Sequence, residues 1–390
     1  MYRLDIYGVS GVADQVKKNY CKAIFSKGHS RQDSMTRKLK NKLMIWLAAT
    51  GQITALFCSL LIGLSLAKPA FAQAIEPDRD SATVIMYHRF GEGRYPSTNI
   101  SMEQFADHLA LLTNGDYTVL PLPEVVDKLK SGQLLPDRTV AITIDDAYLS
   151  VYEKAWPLLK QAGLPFTIFV ATSPVDRGLN GYMSWDQLRE LKAAGVTIGS
   201  QTHTHPHMHR LSVERVREEI NTSNQRFLEE LGQRPQLFAY PYGEYSRFVI
   251  DEVRDSGFIA AFGQNSGIMH KDEDFFELPR FAFNENYGSL NRLKLAVNGL
   301  PLKVKDLTPE DMVMTENPPV YGFTLHQEMS PVSQLRCFAS TYGKLDVTLL
   351  GMRAEIRLPG PLPSPRGRIN CTMPAGKDRW RWFGRQFLTR

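Results

Sequence analysis

The feature that most constrains this fold is an alternation of short apolar runs with amphipathic segments, repeated from residue 83 to residue 283. The apolar runs are almost free of polar residues, which is typical of strands covered on both faces. We predict seven strands: TVIMYH (83–88), VAITID (140–145), FTIFVA (166–171), VTIGSQ (196–201), LFAYPY (237–242), FIAAFG (258–263) and RFAF (280–283). The segments between them predict helices at 101–113, 148–162, 185–194, 212–231 and 246–256.

Strands that alternate with helices form a mostly parallel sheet, so the sequence predicts an α/β fold built as an open sheet or a barrel. Because catalytic groups in such folds lie after the carboxyl ends of the strands, we expect the chemistry there. From about Lys303 the pattern changes to short β-like pieces broken by Pro and Gly. We therefore predict a domain over 73–302 and a β-rich accessory module over 303–390.

The C-terminal module is basic. Residues 353–390 carry nine Lys and Arg against two acidic residues, and Trp380 and Trp382 lie among the arginines. Such a surface can hold a sugar chain or an anionic polymer, although a solvated face is the alternative interpretation.

The N-terminal residues 1–72 have a net charge of +8, whereas the rest of the chain has a net charge of −3. A basic cluster at 37–42 precedes an apolar run at 43–67 and Ala-Phe-Ala at 70–72. This order is typical of a secretory signal, so we predict cleavage after Ala72 and a translation start at Met35. An uncleaved run is long enough to anchor the chain in a membrane.

The predicted export places the product in the periplasm, in the cell envelope or outside the cell. Removing the signal also removes most of the basic charge, so we expect no nucleic-acid partner. Cys337 and Cys371 remain of the four cysteines, and in an oxidising compartment they are a candidate disulfide.

Three polar clusters follow predicted strands. Asp145 and Asp146 end the second strand, and two close carboxylates favour a shared cation or a shared proton. A turn in which Asp146 caps the next helix is the alternative. His203, His205 and His207 follow the fourth strand; in an extended segment alternate residues face one way, so the three imidazoles could converge on a metal. The alternative is a polar surface loop.

The third cluster is the turn Phe-Ala-Tyr-Pro-Tyr-Gly at 238–243, in which Pro restricts the backbone and Gly frees it. In this order, the three clusters resemble the motifs of the NodB-homology polysaccharide deacetylases, carbohydrate esterase family 4. TIDDA (143–147), SQTHTHP (200–206) and FAYPYG (238–243) match the first three motifs of the family. The resemblance covers about 83–300 and implies a distorted (β/α) barrel with seven or eight strands.

The resemblance also implies residue roles. Asp145 would be the general base, Asp146 and His205 would be ligands of a divalent metal, usually zinc, and the Tyr242 backbone N–H would donate to the oxyanion. Such a site suits amide hydrolysis, because a cation activates water and a carboxylate accepts its proton. Tyr240, Trp185 and Pro241 are candidates for substrate binding, with the two aromatic rings able to stack on sugars.

The sequence departs from the family pattern at three places. Gln201 stands where the family has its first ligand histidine, so His203 or His207 replaces it, or the metal is bound weakly, or no metal is used. Ala239 stands where the third motif has arginine, and we expect Arg280 to orient Asp145 instead. The fifth motif is absent, and His88, at the end of the first strand, is the candidate for the missing acid; a histidine packed at the edge of the core is the alternative.

These observations predict an exported hydrolase that removes N-acetyl groups from N-acetyl-hexosamine units of a polysaccharide. Two other hypotheses remain open at this stage. One is a carbohydrate-binding relative that has lost catalysis, consistent with Gln201 and Ala239. The other is a metal-independent hydrolase of small cyclic amides, a class that export argues against.

Overall fold

The structure is a computed structural model that describes residues 78–326, 329, 331–376 and 378–389. The predicted signal at 1–72 lies outside the described residues. No helix in the described ranges is both long and apolar enough to cross a membrane.

Eleven strands belong to the N-terminal part of the described chain. They are β1 (Ser81–Tyr87), β2 (Arg89–Phe90), β3 (Asn99–Ile100), β4 (Thr118–Val119), β5 (Thr139–Asp145), β6 (Phe166–Val170), β7 (Thr197–Ser200), β8 (Leu237–Ala239), β9 (Ala260–Phe262), β10 (Met269–His270) and β11 (Phe281–Ala282). Nine of them form one curled sheet in the order β10-β1-β5-β6-β7-β8-β9, with β11 also beside β1 and β4 beside β5. Among these described pairings, β10 alone is antiparallel.

The curled sheet confirms the predicted α/β barrel-like fold, and each of the seven predicted strands is found. Its helices are Met102–Asn114, Leu122–Lys130, Trp156–Gln161, Thr172–Asp176, Trp185–Ala193, Val213–Leu231, Arg247–Asp255 and Leu290–Val297, and a π-helical turn, Val151–Ala155, precedes the third. Ser101 with Gln104 and Ser184 with Gln187 form the two capping boxes that their spacing indicates. Three further short helices, Leu122–Lys130, Thr172–Asp176 and Leu290–Val297, were not predicted, although the buried Leu122, Val125, Val126 and Leu129 recur at helical spacing in the first.

The core fills both faces of the sheet, which explains why the strand sequences are apolar without alternation. Ile142 and Ile144 of β5 pack on one face, and Ala141 of the same strand packs on the other. All three are fully buried. Truncating Ile142 or Ile144 to Ala would cost about 2–5 kcal/mol. This close packing holds the sheet and its edges in place.

A second sheet follows, as predicted for the C-terminal module. It contains β12 (Leu300–Pro301), β13 (Val304–Thr308), β14 (Tyr321–Leu325), β15 (Arg336–Ala339), β16 (Gly343–Leu350), β17 (Arg353–Arg357), β18 (Arg366–Gly376) and β19 (Arg379–Leu388) in the order β12-β19-β18-β15-β16-β17-β14-β13. Its own apolar core includes Phe323 and Phe387. Cys337 of β15 and Cys371 of β18 are paired in register and joined by a disulfide.

The C-terminal sheet packs directly on the barrel. Both Nη1 hydrogen bonds of Arg379 go to the carboxylate of Asp137, at 2.9 and 3.2 Å. The ring of Trp382 meets the ring of Phe281 edge-on at 5.4 Å. The described residues belong to one compact unit. Side chains of β18 and β19 reach the edge of the parallel sheet at which its strands have their carboxyl ends.

Candidate functional site

The polar residues singled out in the sequence gather where the parallel strands end. β5 ends at Asp145, β7 ends at Ser200 directly before Gln201, and β8 ends at Ala239. Parallel strands of one sheet end at the same edge, so these three strand ends lie along that edge, with the end of β6 between those of β5 and β7. The sheet therefore assembles a site from residues that lie far apart in the sequence.

Asp145 is held by Arg280. The guanidinium donates from Nη1 to Oδ1 at 2.7 Å and from Nη2 to Oδ2 at 2.9 Å, and both side chains are fully buried. Arg280 is fixed in turn by the Gly263 carbonyl, which accepts from Nε at 2.9 Å. The bidentate pair uses one acceptor position on each carboxylate oxygen and leaves the others available.

Gln201 lies against the same carboxylate. Its Nε2 is 3.5 Å from Oδ2 of Asp145, and its backbone N–H donates to the Val170 carbonyl at 2.9 Å. The side-chain oxygen, Oε1, is buried and has no hydrogen-bond partner among the described residues. A buried amide oxygen without a partner costs free energy. A cation that coordinates this oxygen would remove that cost.

Asp146 and His205 face each other across the site. The distance from His205 Nε2 to Asp146 Oδ1 is 3.4 Å, and both side chains are partly exposed to the cleft. Asp146 turns out of the strand because its φ is +75°, while its backbone N–H still bonds the Phe169 carbonyl. The adjacent carboxylates thus separate: Asp145 points into the buried pair with Arg280, and Asp146 points into the cleft.

The expected convergence of the three histidines is wrong for His203 and His207. The segment is not extended, because Thr202 and His205 have φ values of +68° and +61°. His203 Nδ1 is 2.8 Å from Thr172 Oγ1, and His207 Nδ1 is 2.5 Å from Glu244 Oε2. Alternate residues therefore do not share a face, and His205 alone meets Asp146.

Two buried glutamates that the sequence analysis missed hold this histidine segment. Glu219, on the helix Val213–Leu231, accepts hydrogen bonds from the backbone N–H groups of His203 and Thr204, at 3.1 and 2.7 Å. Glu244 accepts from His207. Glu219 sits on the apolar face of a helix whose other acidic residues are mostly exposed, and a charged residue on such a face was the available signal.

The turn after β8 places Tyr242 beside the histidines. Tyr242 has a φ of +59°, and its ring stacks on the ring of His207 at 4.2 Å and meets that of His205 at 4.6 Å. Gly243 and Glu244 donate the backbone hydrogen bonds of the turn; neither uses the Tyr242 N–H. Burial and the nearby Asp146 carboxylate raise the pKa of the Tyr242 phenol, so the ring stays neutral at physiological pH.

Left-handed backbone is concentrated at the site. Among the described residues other than glycine, eight have positive φ, and five of these lie in the three motifs: Asp146, Ala147, Thr202, His205 and Tyr242. Each such conformation costs of order 1 kcal/mol or more and persists only where the surrounding structure imposes it. The strain indicates that the geometry of this edge is maintained for a function.

A cleft of about 790 Å³ opens above the edge. Asp146, His205, Tyr242 and His88 line it, and the His88 side chain makes no hydrogen bond to another described residue. Asp145 is not part of the lining and lies beneath it, fully buried. The cleft also receives Arg366, Arg368 and Trp382 from the C-terminal sheet.

The structure does not bring the expected sugar-binding residues into the cleft. The Tyr240 ring is fully buried and its hydroxyl donates to the Phe276 carbonyl at 2.9 Å. Trp185 packs edge-on against Phe227 in the core, and Pro241 is buried at the base of the turn. These three assignments are corrected: the cleft is instead lined by the paired rings of Tyr148 and Tyr182, 4.9 Å apart.

The donor set at this edge fits a divalent cation in part. Asp146 supplies a carboxylate and His205 an imidazole, both ordinary metal ligands, and the orphaned Gln201 oxygen is a third candidate donor nearby. A cluster of three His, Cys, Asp or Glu side chains suited to a metal is absent from the described part of the chain. Within the described ranges, the side chains that face each other here therefore offer one carboxylate and one imidazole.

Comparisons with known proteins identify similar proteins. Residues 133–261 match the family described as polysaccharide deacetylase. YxkH of Bacillus subtilis, named a polysaccharide deacetylase, is 25% identical over 197 residues, which cover 50% of this chain and 69% of the relative. A poly-β-1,6-N-acetyl-D-glucosamine N-deacetylase of Staphylococcus aureus is 24% identical over 237 residues, covering 53% and 80%.

Solved structures show the same fold. A Streptococcus pyogenes deacetylase in complex with acetate superimposes with a TM-score of 0.53 at 22% identity, covering 56% of this chain and 99% of the other. IcaB from Ammonifex degensii gives a TM-score of 0.50 at 26% identity, covering 56% and 97%. The family match at 133–261 includes all three motifs, and the comparisons confirm the resemblance drawn from those motifs.

Proposed function

We propose that this chain, whose residues 133–261 match the polysaccharide deacetylase family, is an enzyme that hydrolyses the acetamido group of N-acetyl-hexosamine units in a polysaccharide. The observation that carries the proposal is the Asp146 and His205 pair, 3.4 Å apart, at the floor of an open cleft and directly above the buried Asp145–Arg280 pair. The cleft is wide enough for sugar rings.

Asp146 and His205 would hold a divalent cation, for which zinc is the first candidate, and Gln201 Oε1 would be the third donor. When bound there, the cation supplies Lewis acidity to the acetyl carbonyl and to a water molecule. The buried, unpartnered state of Gln201 Oε1 supports this assignment.

Asp145 would accept the proton of the attacking water. Arg280 orients the carboxylate, because its fork matches both oxygens. The water oxygen bonds to the carbonyl carbon, and the resulting oxyanion takes a hydrogen bond from the Tyr242 backbone N–H. His88, which lines the cleft, would then give a proton to the leaving nitrogen as the C–N bond breaks, so that the products are acetate and a free amine.

Tyr148 and Tyr182 are the candidates for stacking on the sugar rings. Their rings line the cleft, and aromatic faces bind the apolar faces of pyranoses. The name of the Staphylococcus aureus relative supports an N-acetylglucosamine-containing polysaccharide as the substrate, and the name of YxkH supports a polysaccharide.

We also infer that the chain is exported. The signal-like order of residues 35–72 supports export, and so does the Cys337–Cys371 disulfide, because disulfides persist in oxidising compartments.

The test is acetate release from N-acetylglucosamine oligomers. We expect the purified protein to release acetate and leave free amines, and we expect Asp145→Asn to abolish the release while leaving the protein folded. Release that is unaffected by this substitution would contradict the mechanism. An absence of release from any N-acetylated glycan, together with retained glycan binding, would favour a carbohydrate-binding protein.

A further inference from the structure

One wall of the cleft is built by the C-terminal sheet. Along β18 the residues alternate, as in any strand: Gly367, Ile369 and Cys371 are buried, whereas Arg366, Arg368 and Asn370 face the cleft. Trp382 of β19 continues this wall, and its Nε1 donates to the Asn370 side chain at 3.3 Å. The wall is therefore one face of a regular strand and not the tip of a loop.

The wall is rich in positive charge. Arg366 and Arg368 come from β18, and Arg292 comes from the helix Leu290–Val297 of the barrel. We call these three side chains the arginine wall. The Tyr287 ring also lines the cleft, and its centroid lies 5.2 Å from the Arg292 guanidinium.

Most of this charge has no carboxylate partner. Arg366 donates to the Tyr242 carbonyl at 3.0 Å and lies 3.5 Å from Glu244. Arg368 donates from Nε to the Gln386 side chain at 3.3 Å, and Arg292 has a buried Nε without a partner. Within the ranges that the structure describes, neither Arg292 nor Arg368 forms a salt bridge.

Their surroundings make the free charges costly. Desolvation lowers the pKa of the Arg292 guanidinium, and desolvation together with the charge of Arg366 lowers that of Arg368. Arg368 itself is exposed and lines the cleft, so its guanidinium is accessible to a ligand there. An anion placed in the cleft would relieve both the repulsion and the missing hydrogen bonds.

We propose that the arginine wall binds an anionic group, a carboxylate or a phosphate, carried by the substrate glycan next to the N-acetylated sugar. This inference rests on the proposed function, since it names the substrate class of the same cleft: an acidic N-acetylated polysaccharide is preferred over a neutral one. Guanidinium groups pair with both anions through parallel hydrogen bonds, and Tyr287 and Trp382 offer flat faces for the sugar that carries the anion.

The contact from Arg366 to the Tyr242 carbonyl puts the arginine wall beside the turn whose N–H faces the reaction. The anionic group is therefore expected on the acetylated sugar itself or on its direct neighbour. The accessory module, by this account, selects the substrate through its charge and does not merely stabilise the barrel.

The test uses binding and turnover as separate measurements. Calorimetry on the purified Asp145→Asn protein would compare neutral N-acetylglucosamine oligomers with oligomers of equal length that carry a sugar carboxylate or a sugar phosphate. We expect the anionic oligomers to bind at least about tenfold more tightly at low salt, since one hydrogen bond to a charged group is worth that much. The preference should shrink as salt is raised.

Arg368→Gln and the double change Arg292→Gln with Arg368→Gln should reduce the ratio of anionic to neutral affinity by about tenfold or more. Arg357→Gln, an exposed arginine of the same module that does not line the cleft, is the matched control and should keep the ratio. Tighter binding of the carboxylate series or of the phosphate series would each support the inference and identify the anion. Equal affinity for neutral and anionic oligomers would overturn it.

A loss of both affinities in equal proportion would also overturn it, because the arginines would then act only on the structure. Acetate release by the wild-type protein is scored separately. If anionic oligomers bind through the arginine wall and no acetate appears, the proposed function fails and the anion site stands. If acetate is released and neutral and anionic oligomers bind equally well, the proposed function stands and the anion site fails.

Discussion

The guanidinium of Arg280 donates two hydrogen bonds, of 2.7 and 2.9 Å, to the carboxylate of Asp145, which lies 135 positions earlier in the sequence. Both groups are completely buried. A buried ion pair is stable only when its geometry is good and its remaining donors are bonded, and here the Gly263 carbonyl accepts the third N–H group. The pair links the end of β5 to the start of β11 and fixes the proposed base.

We expect Asp145→Asn to lower kcat for acetate release by about 10²–10⁴-fold, the usual contribution of a general base. Arg280→Lys should give a smaller loss, because it keeps the charge but not the fork. Thermal unfolding measured beside the kinetics separates chemistry from stability, as breaking a buried pair costs about 3–5 kcal/mol. A kcat for Asp145→Asn equal to that of the wild type would exclude the base.

Metal content is the second prediction. The purified protein should bind about one equivalent of a divalent cation, and His205→Ala and Asp146→Asn should each weaken this binding by at least about 100-fold, more than the loss of an outer partner costs. His207→Ala is the matched control, because its imidazole bonds Glu244. Elemental analysis after dialysis measures the effect; equal metal loss in the His205 and His207 variants would refute the assigned ligands.

Glu219 should act as a positioning residue for the histidine segment. Its carboxylate accepts from two backbone N–H groups and from the Thr204 hydroxyl, the last at 2.6 Å, and it is 4% exposed. Glu219→Gln should lower the free energy of unfolding by about 1–3 kcal/mol. Glu218→Gln, an exposed position on the same helix, should be close to neutral. The metal affinity should fall in the first variant and not in the second.

The disulfide should stabilise the C-terminal sheet. Cys337 and Cys371 are separated by 34 residues, so chain entropy predicts a stabilisation of about 3–4 kcal/mol. Chemical denaturation with and without reductant should show this difference. A peptide map under non-reducing conditions should recover the two cysteines as one linked fragment; free thiols at both positions in protein purified without reductant would contradict the prediction.

His270 predicts a loss of stability in acid. Its side chain is 7% exposed, and desolvation first, then the charge of Lys303, lowers its pKa to about 4. The unfolded chain therefore takes up the proton first, so this contribution is complete above pH about 6.5 and is lost as the pH falls towards 4. The titratable groups nearby include Lys303, Lys271, Asp80, Asp272 and Glu273, and burial raises the pKa of Glu273 to about 8.

The measurement is the unfolding free energy of the wild type and of His270→Gln between pH 7 and pH 4. The difference between the two proteins isolates the histidine from the carboxylates, which titrate in both. We expect the wild type to lose more stability over this interval, by up to about 3 kcal/mol. Parallel curves would show that His270 is not held neutral.

The barrel and much of the site could be predicted from the sequence. Uninterrupted apolar strands and short amphipathic helices are local patterns, and they fix a parallel sheet because both of its faces must be covered. Asp145, Asp146 and His205 follow from that sheet, since groups after parallel strands meet at one edge. Arg280 was also predictable as the partner of Asp145, because a buried carboxylate needs a cation once Ala239 has replaced the arginine of the motif.

The directions of the histidines were not predictable. His203, His205 and His207 alternate in the sequence, but left-handed backbone at Thr202 and His205 sends each imidazole to a different partner. Glu219, on the next helix, holds that segment through its backbone N–H groups. Tyr240, after a strand, and Trp185, at a helix start, were wrong as sugar-binding residues because tertiary packing turns both rings into the core.

The sequence by itself determined the strands, the motif order and the charge of each segment, all of which depend on residues close together in the chain. Tertiary structure alone decided that Arg366, Arg368 and Trp382 of the C-terminal sheet would close the cleft of the barrel. Docking of two sheets depends on the fit of two surfaces built from residues far apart in the chain, and no local pattern encodes that fit. The basic charge of the last strands became meaningful only when it was found facing the cleft beside Asp146 and His205.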